Sequence, residues 1–122
     1  TQAGGQEAIA IGANTYATGT SSVAIGDTAN AQGGLGTIAI GSSGVKSWAE
    51  NSIAIGSGAE AGIDSANKTN TNSKQTGAIA IGTKALSYGV SSASMGENAK
   101  AYGENSYAIG TNSEASTVST VA

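Results

Sequence analysis

The 122-residue chain has no cysteine, no histidine, no proline and no arginine. Without cysteine there is no disulfide framework and no thiolate metal site. Without histidine, the dyads and triads that use an imidazole to activate a nucleophile are excluded. Lysine supplies every basic side chain, and acids outnumber it for a net charge of −3. No basic stripe exists to track a phosphate backbone, so a nucleic-acid partner is not expected. Aromatic residues are scarce, with one Trp, four Tyr and no Phe. The longest apolar runs are about five residues, far short of the roughly 20 that a membrane-spanning helix needs. Thr1 to Glu7 is polar, unlike a signal peptide, and no Met opens the chain. The expectation is a piece of a longer protein, with any export signal or membrane anchor outside it.

What is abundant is glycine, 19 residues of it, and it recurs with a period. Ala-Ile-Ala-Ile-Gly occupies 8–12 and again 78–82, and close variants end at Gly26, Gly41, Gly56, Gly96 and Gly110. From Gly12 onward the steps between these glycines are 14, 15, 15, 26, 14 and 14 residues. The unit is therefore 14 residues, with single-residue additions in two coils and one long insertion. Each unit reads as two short strands, such as Ser52 to Gly56 and Ala99 to Gly103. Alternation, β-branched content and flanking Gly, Asn and Ser support strands, and helical spacing of three and four is absent. Two strands and two turns make one coil of a parallel β-solenoid, each coil bonded to the next at ~4.8 Å. The missing proline fits, because proline deletes a ladder donor. The whole of 1–122 is read as one all-β domain with an insertion at about 62–77.

The glycines that close the first strand are placed where the coil must reverse, since glycine takes positive φ freely. Gly19, Gly33, Gly89 and Gly103 mark the second corner. Ser22, Ser52, Ser92 and Ser106 open the first strand, and their hydroxyls are expected to bond local backbone at the bend. No base is available to make any of them a nucleophile. The acids Asp27, Asp64 and the six Glu scatter by register and do not converge as a hydrolytic pair would. Gly33-Gly34-Leu35-Gly36 is followed by Thr37-Ile38, so it lacks the aspartate of a calcium-binding β-roll repeat. No enzymatic activity and no cofactor are expected.

The first strand is apolar on both sides. Ile9, Ile11, Ile25, Ile40, Ile53, Ile55, Ile79, Ile81 and Ile109 share one face, joined by Val23, Ile38 and Tyr107, while Ala10, Ala24, Ala39, Ala54, Ala80 and Ala108 share the other. A strand apolar on both sides is usually covered on both sides. The second strand offers one small apolar face, Ala29/Ala31, Ala59/Ala61 and Ala99/Ala101, with Asn30, Gln32, Glu60, Lys100 and Glu114 turned the other way. One chain can thus cover only one face of the first strand, and the other calls for a second copy. An uncovered aliphatic row would be an aggregation hazard. These isoleucines are the candidate packing residues, in the coil or at the interchain seam. Whether the Ile or the Ala row meets the partner is left open by the sequence.

Two further features attract a binding role. The insertion, Gly62 to Gly77, is polar and carries Lys68 and Lys74. Such insertions fall on one face of a repeat protein, often a binding face; a solvated excursion is the preferred reading and ligand contact the competing one. Tyr88 and Tyr102 occupy one place in successive coils, with Trp48 near the same line. An outward aromatic row could grip a fibrous protein, but a ladder that stabilises the stack is the preferred reading. Lys100 and Glu114 are in register for an exposed pair of small energetic consequence.

Asn51-Ser52-Ile53-Ala54-Ile55-Gly56, followed by Ala59-Glu60-Ala61, resembles the repeat of YadA-like heads of trimeric autotransporter adhesins, as does Asn105-Ser106-Tyr107-Ala108-Ile109-Gly110. The resemblance covers nearly the whole chain. It implies a left-handed parallel β-roll, a homotrimer packed side by side, and display on the bacterial surface by anchoring parts outside this chain. It also implies binding of host extracellular-matrix proteins such as collagen, fibronectin or laminin. The competing expectation is a structural spacer, with the ligand site elsewhere. The chain departs from the repeat at Ala93-Ser94-Met95-Gly96, which lacks the first aliphatic residue, and at Tyr107. The neck and coiled-coil stalk of the family are not represented.

Overall fold

The computed structural model describes residues 1–62 and 76–122. Among these residues the regular structure is all β. In chain order the strands are β1 Gln2–Ala3, β2 Ile9–Ile11, β3 Tyr16–Ala17, β4 Val23–Ile25, β5 Asn30–Ala31, β6 Ile38–Ile40, β7 Lys46–Ser47 and β8 Ile53–Ile55. They continue as β9 Glu60–Ala61, β10 Ile79–Ile81, β11 Leu86–Ser87, β12 Ala93–Met95, β13 Lys100–Ala101, β14 Tyr107–Ile109 and β15 Glu114–Ala115. Odd-numbered strands form an eight-stranded sheet and even-numbered strands a seven-stranded one, each in order along the rod. All pairings are parallel, so the chain is a β-solenoid of about seven coils. Seven rungs at the usual strand spacing give a rod of roughly 34 Å.

Register confirms the 14-residue unit and locates the additions. Ile9 pairs with Val23, and Ile79 with Ala93. Val23 pairs with Ile38 and Asn30 with Lys46, so the extra residues lie at the corners between strands. The long insertion leaves the ladder unbroken. Ile53 pairs with Ile79 and Glu60 with Leu86, and Gly62 N–H donates to Ser87 O at 2.8 Å.

The structure decides which row is the interior. Ala24, Ala39, Ala54, Ala80 and Ala108 are fully buried, facing Ala29, Ala31, Ala59, Ala61, Ala99 and Ala101 of the other sheet, also fully buried. The interior is thus a thin layer made mostly of alanine methyls, with Val45 the largest side chain fully buried in it. A coil this flat has no room for branched side chains on both walls, so the isoleucines point out of it. Ile9, Ile11 and Ile109 are exposed, and Ile25, Ile40, Ile53, Ile55, Ile79 and Ile81 are half-buried by their neighbours on the ladder.

The two glycine columns do different work. Gly26 has φ +131, and a Cβ there would overlap the carbonyl of Gly41 on the next rung. Gly89, at the other corner, has no positive φ; it is glycine because a Cβ would overlap Gly103 O. Positive φ at that corner is carried by Ser21, Asn51, Ser91 and Asn105, and at the first corner by Asn14, Thr28, Ser43, Lys84, Asn98 and Asn112. Asparagine tolerates this region best among non-glycine residues.

The corner serines follow expectation with one exception. Ser92 donates to Gly89 O and Ser106 to Gly103 O, each at 2.7 Å, and Ser52 donates to Ala49 O. Ser22 is the correction: its buried hydroxyl has no partner among the described residues. Ser94 is a second such case, standing between Ala80 and Ala108 in the alanine row. A buried hydroxyl without a partner costs about 1–3 kcal/mol. Ser94→Ala is therefore expected to raise stability by about 1 kcal/mol or more, read as a higher urea midpoint with an unchanged m-value.

Candidate functional site

Two surfaces of the rod stand out, one on each sheet. On the odd-numbered sheet, inward alanines and serines leave two outward columns. The first contains Lys46, Glu60, Leu86, Lys100 and Glu114 in successive register. The second, two residues later in each coil, contains Trp48, Gly62, Tyr88 and Tyr102, because Ser47, Ala61, Ser87 and Ala101 are paired in that order. Trp48 thus lies on the Tyr88 line with the Gly62 rung between them.

The tyrosines stack as the spacing predicts. Their ring centroids are 5.5 Å apart, tilted by 31°. Tyr88 also reaches back one rung, where its hydroxyl donates to Glu60 Oε2 at 3.0 Å. Glu60 Oε1 accepts from Lys46 Nζ at 2.9 Å. Lys46, Glu60, Tyr88 and Tyr102 form one connected, partly buried strip along four rungs. Trp48 is half-buried, and its Nε1 lies out of water without a partner among the described residues. Tyr102 is 37% exposed. Lys100 and Glu114 are in register, but no ion pair closes between them. Lys68 and Lys74 lie outside the described residues. The Lys46–Glu60 pair was not read from the sequence, although its 14-residue spacing is the same signal that aligned Lys100 with Glu114.

On the even-numbered sheet the outward surface is two aliphatic columns. One runs Ile9, Val23, Ile38, Ile53, Ile79, Ala93, Tyr107, and the other Ile11, Ile25, Ile40, Ile55, Ile81, Met95, Ile109. No charged side chain interrupts either column. Among the described residues no group of three or more acidic, His or Cys side chains could hold a metal ion, and no helix is long and apolar enough to cross a membrane.

A family model described as the YadA head domain repeat matches residues 3–29, 17–43, 46–64, 87–113 and 101–122. Together these spans cover well over half of the chain. It belongs to the YadA head family. No curated protein matches it. The matched spans each begin on the second strand of a coil, at Ala3, Ala17, Lys46, Ser87 and Ala101, so the family repeat is in phase with the two-strand coil. YadA heads are adhesin domains of bacterial outer-membrane autotransporters, and this YadA head has the architecture of one.

Proposed function

We propose that this YadA head packs against two sister copies through its isoleucine face and turns the opposite sheet toward host extracellular-matrix proteins, displayed on the bacterial surface by parts outside this chain. One observation carries the association: the alanine rows are sealed inside the coil, while no described element covers the aliphatic rows. A continuous apolar strip the length of the rod is larger than a lone soluble chain normally shows to water. Three rods side by side repeat every outward feature three times around and many times along, so weak single contacts sum to useful avidity.

The test is surface plasmon resonance of the chain over immobilised collagen, fibronectin and laminin. A concentration-dependent response to at least one is expected, and silence on all three rejects a matrix-binding head. Trp48→Ser with Tyr88→Ser and Tyr102→Ser is expected to weaken that response tenfold or more. A second reading, a spacer segment with the ligand site elsewhere, is favoured by one contact: the Tyr88 hydroxyl is already engaged by Glu60. If the triple variant binds as before, the aromatic strip belongs to the stack alone.

A further inference from the structure

The aliphatic face has a translational ambiguity. From Ile9 to Ile79 each rung presents a pair of β-branched side chains, isoleucine everywhere but at Val23, repeated at about the 4.8 Å strand spacing. Such a ladder docks equally well on a partner shifted by one rung. Register is weakly specified wherever neighbouring positions look alike.

The repeat is broken in one place. Ala93 follows Ile79 in the first column and leaves an opening most of an isoleucine side chain deep. The next rung carries Tyr107, paired directly with Ala93 and 44% exposed. Beside them the second column substitutes the adaptable Met95 for isoleucine. An opening and a protrusion thus stand on adjacent rungs of a face whose earlier rungs are all β-branched.

We propose that Ala93 and Tyr107 fix the axial register of self-association: the Tyr107 ring of one copy seats against the opening that Ala93 leaves on its neighbour. This rests on the reading that sister copies cover the face. The occupant is argued from the face itself. It has no charge to attract an oppositely charged partner, and its ridges follow the strand spacing along the whole rod. A helix, with a pitch of about 5.4 Å, falls out of step with such ridges within a few rungs, whereas another copy of this chain stays in step. Copies in register place each tyrosine one rung from a neighbour's Ala93, within reach of its long side chain. Copies slipped by one rung bring one ring level with its neighbour's Ala93 but carry the reciprocal ring two rungs from its own opening, so only one of the two is filled.

The experiment labels isoleucine methyl groups and counts their resonances, with sedimentation equilibrium on the same samples. The unmodified chain is expected to assemble and to give one resonance set. Ala93→Ile with Tyr107→Ile removes the mark, leaving only Val23 and Met95 apart from isoleucine in the two columns; the folded variant is expected to assemble still and to give two or more sets. Adding Ile38→Ala and Ile53→Tyr, which rebuilds the mark elsewhere, is expected to restore a single set. An assembled double variant with one set overturns the register mark alone. A folded double variant that no longer assembles also overturns it, since the aliphatic rows are then insufficient for association. A single-chain mass for the unmodified protein overturns the covering of the face and the mark with it.

Discussion

Gly26→Ala is expected to abolish cooperative folding of the rod. Gly26 sits at φ +131, where a Cβ is strained in any surroundings. The added methyl would also overlap the backbone carbonyl of Gly41, which is no flexible side chain. That carbonyl cannot retreat cheaply, because the corner is tied on both sides: Gly26 N–H donates to Ile11 O at 2.8 Å and Gly41 N–H to Ile25 O at 2.9 Å. Strain of about 1–3 kcal/mol adds to a clash of similar or larger size, so a total above about 4 kcal/mol is expected. In a repeat protein each coil is held by its neighbours, so a break at this rung separates the N-terminal coils from the rest. Gly44→Ala is the comparison. Its φ is +77, but a Cβ there meets nothing within 4 Å, and a loss of about 1–2 kcal/mol is expected. Denaturant titrations followed by circular dichroism measure both. Equal effects would contradict the close stacking of glycine carbonyls.

The second large effect concerns association. Ile40→Lys with Ile81→Lys places two ammonium groups on the aliphatic face, with the Ile55 rung between them. Both positions point out of the coil and are half-buried in the single chain, so the lysine stems can lie along the face with their charged ends in water. The coil is expected to keep its circular dichroism spectrum. In an assembly the same groups would be buried without partners, a cost of several kcal/mol per ion. Self-association is expected to fall a thousandfold or more by sedimentation equilibrium. Unchanged association of the folded variant would move the interface to another face.

The repeat was legible because each coil occupies one rung, so spacing in the sequence becomes stacking in space. The register of Lys100 on Glu114 and the stacking of Tyr88 on Tyr102 both follow from that one fact. The orientation of the first strand was not legible, since alanine and isoleucine are both apolar and alternation names no side. It is settled by thickness, a property of two strands together: with Ala54 facing Ala59 and Ala61, the layer between the sheets holds mostly small side chains and no isoleucine. The Glu60–Tyr88 bond spans 28 residues and exists because Glu60 and Leu86 pair on adjacent rungs across the insertion. Asn14, Asn98 and Asn112 belong to the flanking turn signal, and the structure sets them at positive φ. Ser22 escaped because Ser52 and Ser92, at the same corner of other coils, do make the expected bond, while Thr37 on the rung next to Ser22 shares its lack of a partner among the described residues.

The most direct measurement is the solution mass of the unmodified chain by sedimentation equilibrium across the micromolar range. The account predicts a species of three times the 11.7 kDa chain mass. A stable, non-aggregating species of 11.7 kDa, with its isoleucine rows open to water, would contradict it.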